Sequence, residues 1–128
     1  MDNESILSKR FSSLIKKDKE IIAVLLFGSF ARKEPYRDID ICIVLDKKYK
    51  NLEMSRKALQ YASLLPGKFD ISIFQQLPLY IRIRVLKEGM AIFCRDESLL
   101  YNLAYSTIKE FNLFEKHYNA YLERVRNG

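Results

Sequence analysis

The chain has 128 residues, 48% of them hydrophobic and 30% charged, with a formal net charge of +6. This length predicts a single domain spanning 1–128, and the composition excludes intrinsic disorder and collagen-like repeats. No apolar run approaches the roughly 20 residues that cross a bilayer. The acidic first residues differ from those of a signal peptide. The basic net charge favours an anionic partner.

Apolar periodicity predicts alternating helices and strands, an α/β (α+β) fold of αβαβαβ order with later additions. In chain order the predicted elements are helix 4–19, strand 21–27, strand 39–45, helix 51–65, strand 68–74, helix 78–88, strand 90–94 and helix 97–126. The alternation of apolar and basic residues at 81–85 would also fit a strand. The core would occupy about residues 4–94, with 97–126 as a C-terminal helical extension. Asn51 is expected to cap its helix, and the last helix either breaks near Asn112 or extends beyond the sheet.

The cysteine and histidine content narrows the chemistry. Cys42 and Cys94 both lie inside apolar stretches, which predicts two buried thiols in the reducing cytoplasm and neither a disulfide nor a metal site. Because His117 is the single histidine of the sequence, a histidine-based zinc site and a Ser-His-Asp triad are not expected.

Gly28-Ser29 directly follows the apolar strand 21–27. A glycine there allows a tight turn and the close approach of a ligand. The N–H groups of a helix beginning at Ser29 would favour an anion such as phosphate. On these two residues alone, an ordinary strand-to-helix turn capped by Ser29 explains the pair at least as well.

Three aspartates on the next two predicted strands carry a further signal. Asp38 and Asp40 alternate at the start of strand 39–45, so their carboxylates would share one face. Such a pair repels unless divalent cations bind it, and two Mg²⁺ ions about 3.5–4 Å apart serve in-line phosphoryl displacement. Asp70, on strand 68–74, would join them if the two strands pair. Each feature alone is common, whereas the combination is not.

Residues 26–32, with the sequence LFGSFAR, followed by Asp-Ile-Asp at 38–40, resemble the minimal nucleotidyltransferases of the DNA polymerase β-like superfamily. The resemblance covers about residues 4–94 and is specific to the superfamily but not to a substrate. It implies a mixed sheet flanked by helices, a nucleoside triphosphate substrate and two Mg²⁺ ions.

The resemblance also implies a role for each motif residue. Gly28 and Ser29 would bind the triphosphate. Asp38, Asp40 and Asp70 would be the catalytic metal ligands, and Asp70 would also help to activate the acceptor hydroxyl.

Basic residues near these motifs are further candidates. Arg32 is a candidate contact to the triphosphate or to pyrophosphate, since a guanidinium matches phosphate oxygens in a bidentate way. Lys33 and Arg37 are weaker candidates because loop charges usually face water. Arg82 and Arg84 are weak candidates for contacts to the acceptor.

A catalytic core this small resembles the antitoxin half of bacterial and archaeal two-gene modules, in which a nucleotidyltransferase pairs with an all-helical HEPN ribonuclease toxin. Some members transfer AMP to a toxin tyrosine. The resemblance implies transfer of AMP from ATP to a protein hydroxyl. The cysteine content favours the cytoplasm, and neither a membrane nor nucleic acid is expected as a partner, because the sequence has no membrane-crossing run and no nucleic-acid-binding motif. The apolar stripe along 97–126 is core or, if the helix extends beyond the sheet, a partner surface for a homo- or hetero-oligomer.

Two hypotheses about activity stay open. Eight residues separate Ser29 from Asp38, a shorter spacing than in many small antitoxin-type members, which favours the binding module, whereas the three aspartates favour the enzyme. The chain is an active magnesium-dependent nucleotidyltransferase, or it is a catalytically weak binding module of the same fold that neutralises a partner by contact. A non-specific nucleic-acid binder ranks last, because charge alone supports it. The acceptor, the preferred base and the oligomeric state are not fixed by the sequence.

Overall fold

The computed structural model describes residues 3–28 and 38–127. Over these residues the elements are α1 Asn3–Lys17, β1 Ile21–Phe27, β2 Ile39–Leu45, α2 Asn51–Ser63, β3 Phe69–Ile73, a 3-10 turn Phe74–Gln76, α3 Leu79–Glu88, β4 Met90–Cys94 and α4 Glu97–Asn127. The predicted strands 21–27, 39–45 and 90–94 are confirmed. Among the described helices, none is both long enough and apolar enough to span a membrane.

Four strands form one mixed sheet in the order β3-β2-β1-β4. β1 pairs antiparallel with both β2 and β4, whereas β2 and β3 are parallel. A parallel pair needs a crossover connection, and α2 lies within this one. The predicted α/β fold with a mixed sheet and flanking helices is therefore confirmed.

Helices cover both faces of the sheet. One face packs against α1 and α2, where Phe11, Leu14, Met54 and Tyr61 are buried. The other face packs against α3 and α4, with Val85 buried at the centre of that contact. Strands covered on both sides carry apolar residues at successive positions, which is why β1 and residues 41–45 of β2 form continuous apolar runs. Burying each large aliphatic side chain contributes about 1.5–3 kcal/mol to folding.

Two polar side chains fix the ends of the central strands. Arg95 follows β4 and donates from Nε to the carbonyl of Ile21 at 3.0 Å and from Nη2 to the carbonyl of Ile15 at 2.6 Å. Gln75 extends the pairing of β2 through its amide group. Its Oε1 accepts from the N–H of Leu45 at 3.2 Å and its Nε2 donates to the carbonyl of Leu45 at 2.8 Å.

The expected cap of α2 is wrong. Lys50 occupies the N-cap position without a side-chain cap, and Asn51 is the first helical residue. The Asn51 side chain instead accepts a hydrogen bond from Nε2 of Gln76, at 2.9 Å. The competing contact lies 25 residues away in sequence, so the local cap rule did not anticipate it.

α4 is one continuous helix of 31 residues, so a break near Asn112 is wrong and the extension beyond the sheet is confirmed. No glycine or proline occurs within it, and its length is about 46 Å at 1.5 Å per residue. Its first part packs against the sheet through Leu99 and Leu103, and Thr107 is buried.

Beyond Phe111, α4 is exposed at every described position. The large apolar side chains that it presents to solvent, termed here the free apolar face, are Leu113, Phe114, Tyr118, Tyr121, Leu122 and Val125. The rings of Phe114 and Tyr118 are stacked with centroids 6.0 Å apart. Large apolar side chains gathered on one exposed helical segment, and not scattered singly, are typical of an interaction surface.

Candidate active site

The site begins at the end of β1, where Gly28 has a φ of +77°. This left-handed conformation is open to glycine and costly for other residues. A Cβ at this position would collide with Oδ2 of Asp40. The absence of a side chain at Gly28 is therefore what allows the backbone to lie against the Asp40 carboxylate.

The two neighbouring strands place Asp40 beside Asp70. The parallel register of β2 and β3 pairs these two residues directly, so their side chains leave the sheet on the same face, with strands about 4.8 Å apart. Cys42, two residues after Asp40, packs on the α3 and α4 side, which identifies that face. Asp70 is exposed and Asp40 is partly buried, so the pair sits at the rim of the sheet.

Asp38 is exposed at a bend just before β2. Within residues 3–28 and 38–127, no three His, Cys, Asp or Glu side chains gather closely enough to hold a metal ion. The strand register thus places Asp40 beside Asp70, and the three predicted aspartates together do not form such a cluster. Ser29 and Arg32, like the weaker candidates at 33 and 37, lie outside the described residues.

A cavity of about 250 Å³ opens beside Asp40 and Gly28. Its other described lining residues are Phe27, Ile81, Arg84, Val85 and Glu88. Of the seven described lining residues, four lie on α3. The sequence predicted a helix for this segment but did not predict its position beside the aspartates. The alternation of apolar and basic residues at 81–85 would also fit a strand, but the structure shows a helix there.

The structure separates the two arginines of α3. Arg84 lines the cavity beside Asp40. Arg82 is directed elsewhere: its Nε donates to the carbonyl of Leu77 at 3.0 Å and its Nη1 lies 3.4 Å from Oε2 of Glu110 on α4. Of these two candidates, Arg84 alone borders the aspartate site.

A second polar cluster lies on the opposite side of the sheet, between the α1–β1 turn and α2. Tyr61 donates its hydroxyl hydrogen bond to Asp18, and Lys57 pairs with both Asp18 and Glu20. Burial acts to raise the pKa of Asp18, but the hydrogen bonds from Tyr61 and from the Glu20 N–H, with the charge of Lys57, lower that pKa overall. Burial acts to lower the pKa of Lys57, and the two carboxylates raise it overall. This cluster fastens the turn between α1 and β1 to α2 and contains no residue of the aspartate site.

Comparison with known proteins places the chain in a family. A family model described as "Polymerase beta, Nucleotidyltransferase" matches residues 9–98. The fold and this match define a nucleotidyltransferase, and the chain belongs to the polymerase beta nucleotidyltransferase family. A protein of Methanocaldococcus jannaschii named "Putative protein adenylyltransferase MJ1547" is 34% identical to it over 113 residues, which cover 83% of this chain and 86% of that protein.

Solved structures share the fold. One chain, from a toxin–antitoxin crystal structure with AMP-PNP, aligns with a TM-score of 0.69 at 19% identity and covers 91% of this chain and 96% of its own. Another is from the complex of tri-AMPylated Shewanella oneidensis HEPN toxin with MNT antitoxin. It aligns with a TM-score of 0.63 at 19% identity and covers 92% and 97% of the two chains. The expected resemblance to minimal nucleotidyltransferases is confirmed.

Proposed function

We propose that this nucleotidyltransferase is a magnesium-dependent protein adenylyltransferase that transfers AMP from ATP to a hydroxyl of a partner protein. The observation that carries the proposal is the direct pairing of Asp40 with Asp70 beside the side-chain-free Gly28. The M. jannaschii relative that is 34% identical supports the reaction class, because its name specifies protein adenylylation.

The donor chemistry of the site fits a hard divalent cation. Asp40 and Asp70 offer carboxylate oxygens from paired strand positions, and Asp38 stands two residues before Asp40. Mg²⁺ prefers such carboxylates together with water and phosphate oxygens. We assign Asp40 and Asp70 as its ligands from this pairing and Asp38 from the sequence motif, with two ions as the expected number. When bound, the ions would neutralise the triphosphate and lower the pKa of the acceptor hydroxyl.

The chain's own residues would position the reactants. Gly28 lets a phosphate approach the backbone without meeting a side chain, and we assign Ser29 and Arg32 to the triphosphate from the sequence motif. The acceptor oxygen bonds to the α-phosphorus as the bond to pyrophosphate breaks. Asp70 is exposed, so its carboxylate can take up the proton of the acceptor and pass it to water.

The expected partner is a helical protein of the HEPN toxin type, toward which the chain acts as an antitoxin in the cytoplasm. The M. jannaschii relative is named a protein adenylyltransferase, and the structural relatives come from toxin–antitoxin complexes, one with an AMPylated toxin. The free apolar face of α4 offers the docking area. Its aromatic side chains are of the kind enriched in protein interfaces.

Label transfer tests the proposal. The purified chain is incubated with α-labelled ATP, Mg²⁺ and the product of the neighbouring gene, in parallel with Asp40→Asn and Asp70→Asn variants. Glu53→Gln is the matched control, because Glu53 is an exposed acid on α2, outside the site. We expect label on the partner with the wild-type chain and the control, and a loss of at least about a hundredfold with either aspartate variant.

The alternative, a binding module without catalysis, predicts another result. Tight binding of the partner that leaves it unlabelled, and that neither aspartate variant changes, would contradict the enzymatic proposal. Omission of Mg²⁺, or its replacement by EDTA, should abolish labelling by the wild-type chain. Labelling that persists in EDTA would contradict the metal assignment.

A further inference from the structure

Arg84 stands at the aspartate site in a setting that no other described arginine or lysine shares. The described residues that line the cavity beside Asp40 include two acids, Asp40 and Glu88, and a single basic side chain, that of Arg84. Phe27, Ile81 and Val85 form the apolar part of the wall. Among its described lining residues, the cavity therefore presents one guanidinium against an apolar surface, next to the Gly28 backbone.

The ion pair of Arg84 within α3 is weak. Its Nη2 lies 3.9 Å from Oε2 of Glu88, one helical turn further on, and the Arg84 side chain is 59% exposed. Exposed pairs at this spacing contribute little to stability. Arg84 can therefore turn toward a stronger anionic partner in the cavity at small cost, which is not true of Arg82, whose guanidinium is held by a backbone carbonyl and by Glu110.

The charge of the site indicates which ligand Arg84 would take. Asp40 and Asp70 make this rim of the sheet acidic, so a polyanionic nucleotide needs compensating cations to bind there. A protein hydroxyl is neutral and gains nothing comparable from a guanidinium. Arginine matches phosphate oxygens with two parallel hydrogen bonds. The volume of about 250 Å³ is below that of whole-ligand pockets, so it suits one part of a nucleotide.

We propose that Arg84 binds phosphate oxygens of the nucleotide and positions them beside Gly28 and Asp40. This inference rests on the nucleotidyl transfer proposed above, but it concerns nucleotide binding alone. Arg84 acts as a binding residue of the site, and its neighbour Arg82 has only a structural role.

Equilibrium binding without any partner protein tests this inference. The probes are ATP with Mg²⁺ and inorganic tripolyphosphate with Mg²⁺, titrated calorimetrically into the wild-type chain and into Arg84→Gln. The loss of a charge-assisted, bidentate contact should weaken both probes about tenfold or more. Arg84→Lys should recover part of the affinity, because a point charge replaces the planar fork.

Lys87→Gln is the matched control. Lys87 is an exposed cation on the same helix and is not among the residues that line the cavity. The control should bind both probes within about twofold of wild type, since its charge is screened by solvent. Unchanged melting temperatures of the variants would show that Arg84→Gln acts on binding and not on folding.

Three outcomes would overturn the inference. Arg84→Gln that binds both probes as wild type does would exclude a phosphate contact. An equal loss of affinity in Lys87→Gln would show that the effect comes from the net charge of the protein and not from a specific contact. A wild-type chain that binds neither probe would remove the ligand itself. A chain that binds ATP through Arg84 but labels no partner would leave this inference intact while contradicting the proposed transfer reaction.

Discussion

Asp40 and Asp70 lie opposite each other across the parallel β2–β3 pair, on the face of the sheet that carries the cavity. Like charges at directly opposed strand positions repel and destabilise a sheet. The chain thus keeps two carboxylates where folding alone would favour a neutral pair. Such a conflict between stability and arrangement is typical of functional sites.

Asp70→Asn should therefore stabilise the metal-free protein while it removes activity. Relief of the repulsion is worth about 0.2–1 kcal/mol in the free energy of unfolding, measured by urea denaturation in EDTA. Mg²⁺ should then raise the melting temperature of the wild-type chain more than that of the variant, because a ligand stabilises the state that binds it. A variant that is less stable than wild type in EDTA would contradict this account of the pair.

Gly28→Ala should disturb the site where Gly67→Ala does not. Gly28 has a positive φ and no room for a Cβ beside Asp40, whereas a Cβ at Gly67 meets nothing within 4 Å. The backbone term alone costs about 1–2 kcal/mol, and displacement of the Asp40 carboxylate should lower label transfer severely. Thermal unfolding and the transfer assay on both variants measure the two effects. Equal behaviour of the two variants would refute the close approach at Gly28.

Tyr61→Phe should weaken the fold without weakening catalysis. The variant removes the hydroxyl that donates to Asp18, on the face of the sheet opposite the aspartate pair. The expected loss is about 1–2 kcal/mol in the free energy of unfolding. The turnover number in label transfer should remain that of wild type at a temperature where both proteins are folded. A catalytic defect at full folding would show that the cluster communicates with the site.

The same cluster predicts how stability responds to acid. The pKa of Asp18 in the folded chain lies below its ordinary value of 3.8, because the contacts from Tyr61, the Glu20 N–H and Lys57 outweigh the opposing effect of burial. This contribution is therefore present above about pH 4 and is lost as the pH falls through the lowered pKa. Urea denaturation between pH 2 and pH 5 should show a smaller acid loss in Tyr61→Phe than in wild type. Parallel curves would contradict the assignment.

Substitutions on the free apolar face should separate partner binding from folding. Tyr118 and Tyr121 are 51% and 56% exposed, so alanine at both positions should change the free energy of unfolding by no more than about 0.5 kcal/mol each. Binding of the partner should weaken at least about tenfold if these rings are anchors of the interface. Leu103→Ala is the contrasting control, because Leu103 packs against the sheet. Leu103→Ala should lower the free energy of unfolding.

Much of this architecture could be predicted from the sequence, since β1, β2 and β4 are largely apolar runs bounded by glycine or charged residues. The juxtaposition of Asp40 with Asp70 was predicted on the condition that their strands pair, and the register meets that condition. The strand order and the long-range contacts that hold it, such as the bonds from Arg95 to Ile15 and Ile21, join residues that are distant in sequence. No local pattern encodes these. The same holds for α3, which supplies the cavity wall because it packs on β1 and α4. The catalytic and metal-binding roles of the aspartates stay predictions.

Cys42 lies on the same strand as Asp40, so its thiol can report on the unfolding of the site. It follows Asp40 by two positions, is fully buried, and has a pKa raised to about 12 because burial disfavours the thiolate. An alkylating reagent at neutral pH can react with this thiol only when β2 has left the sheet. Cys42 is thus a built-in probe of the local unfolding of β2, the strand that holds Asp40. The rate of Cys42 alkylation therefore reports the opening of β2, which takes Asp40 out of the site.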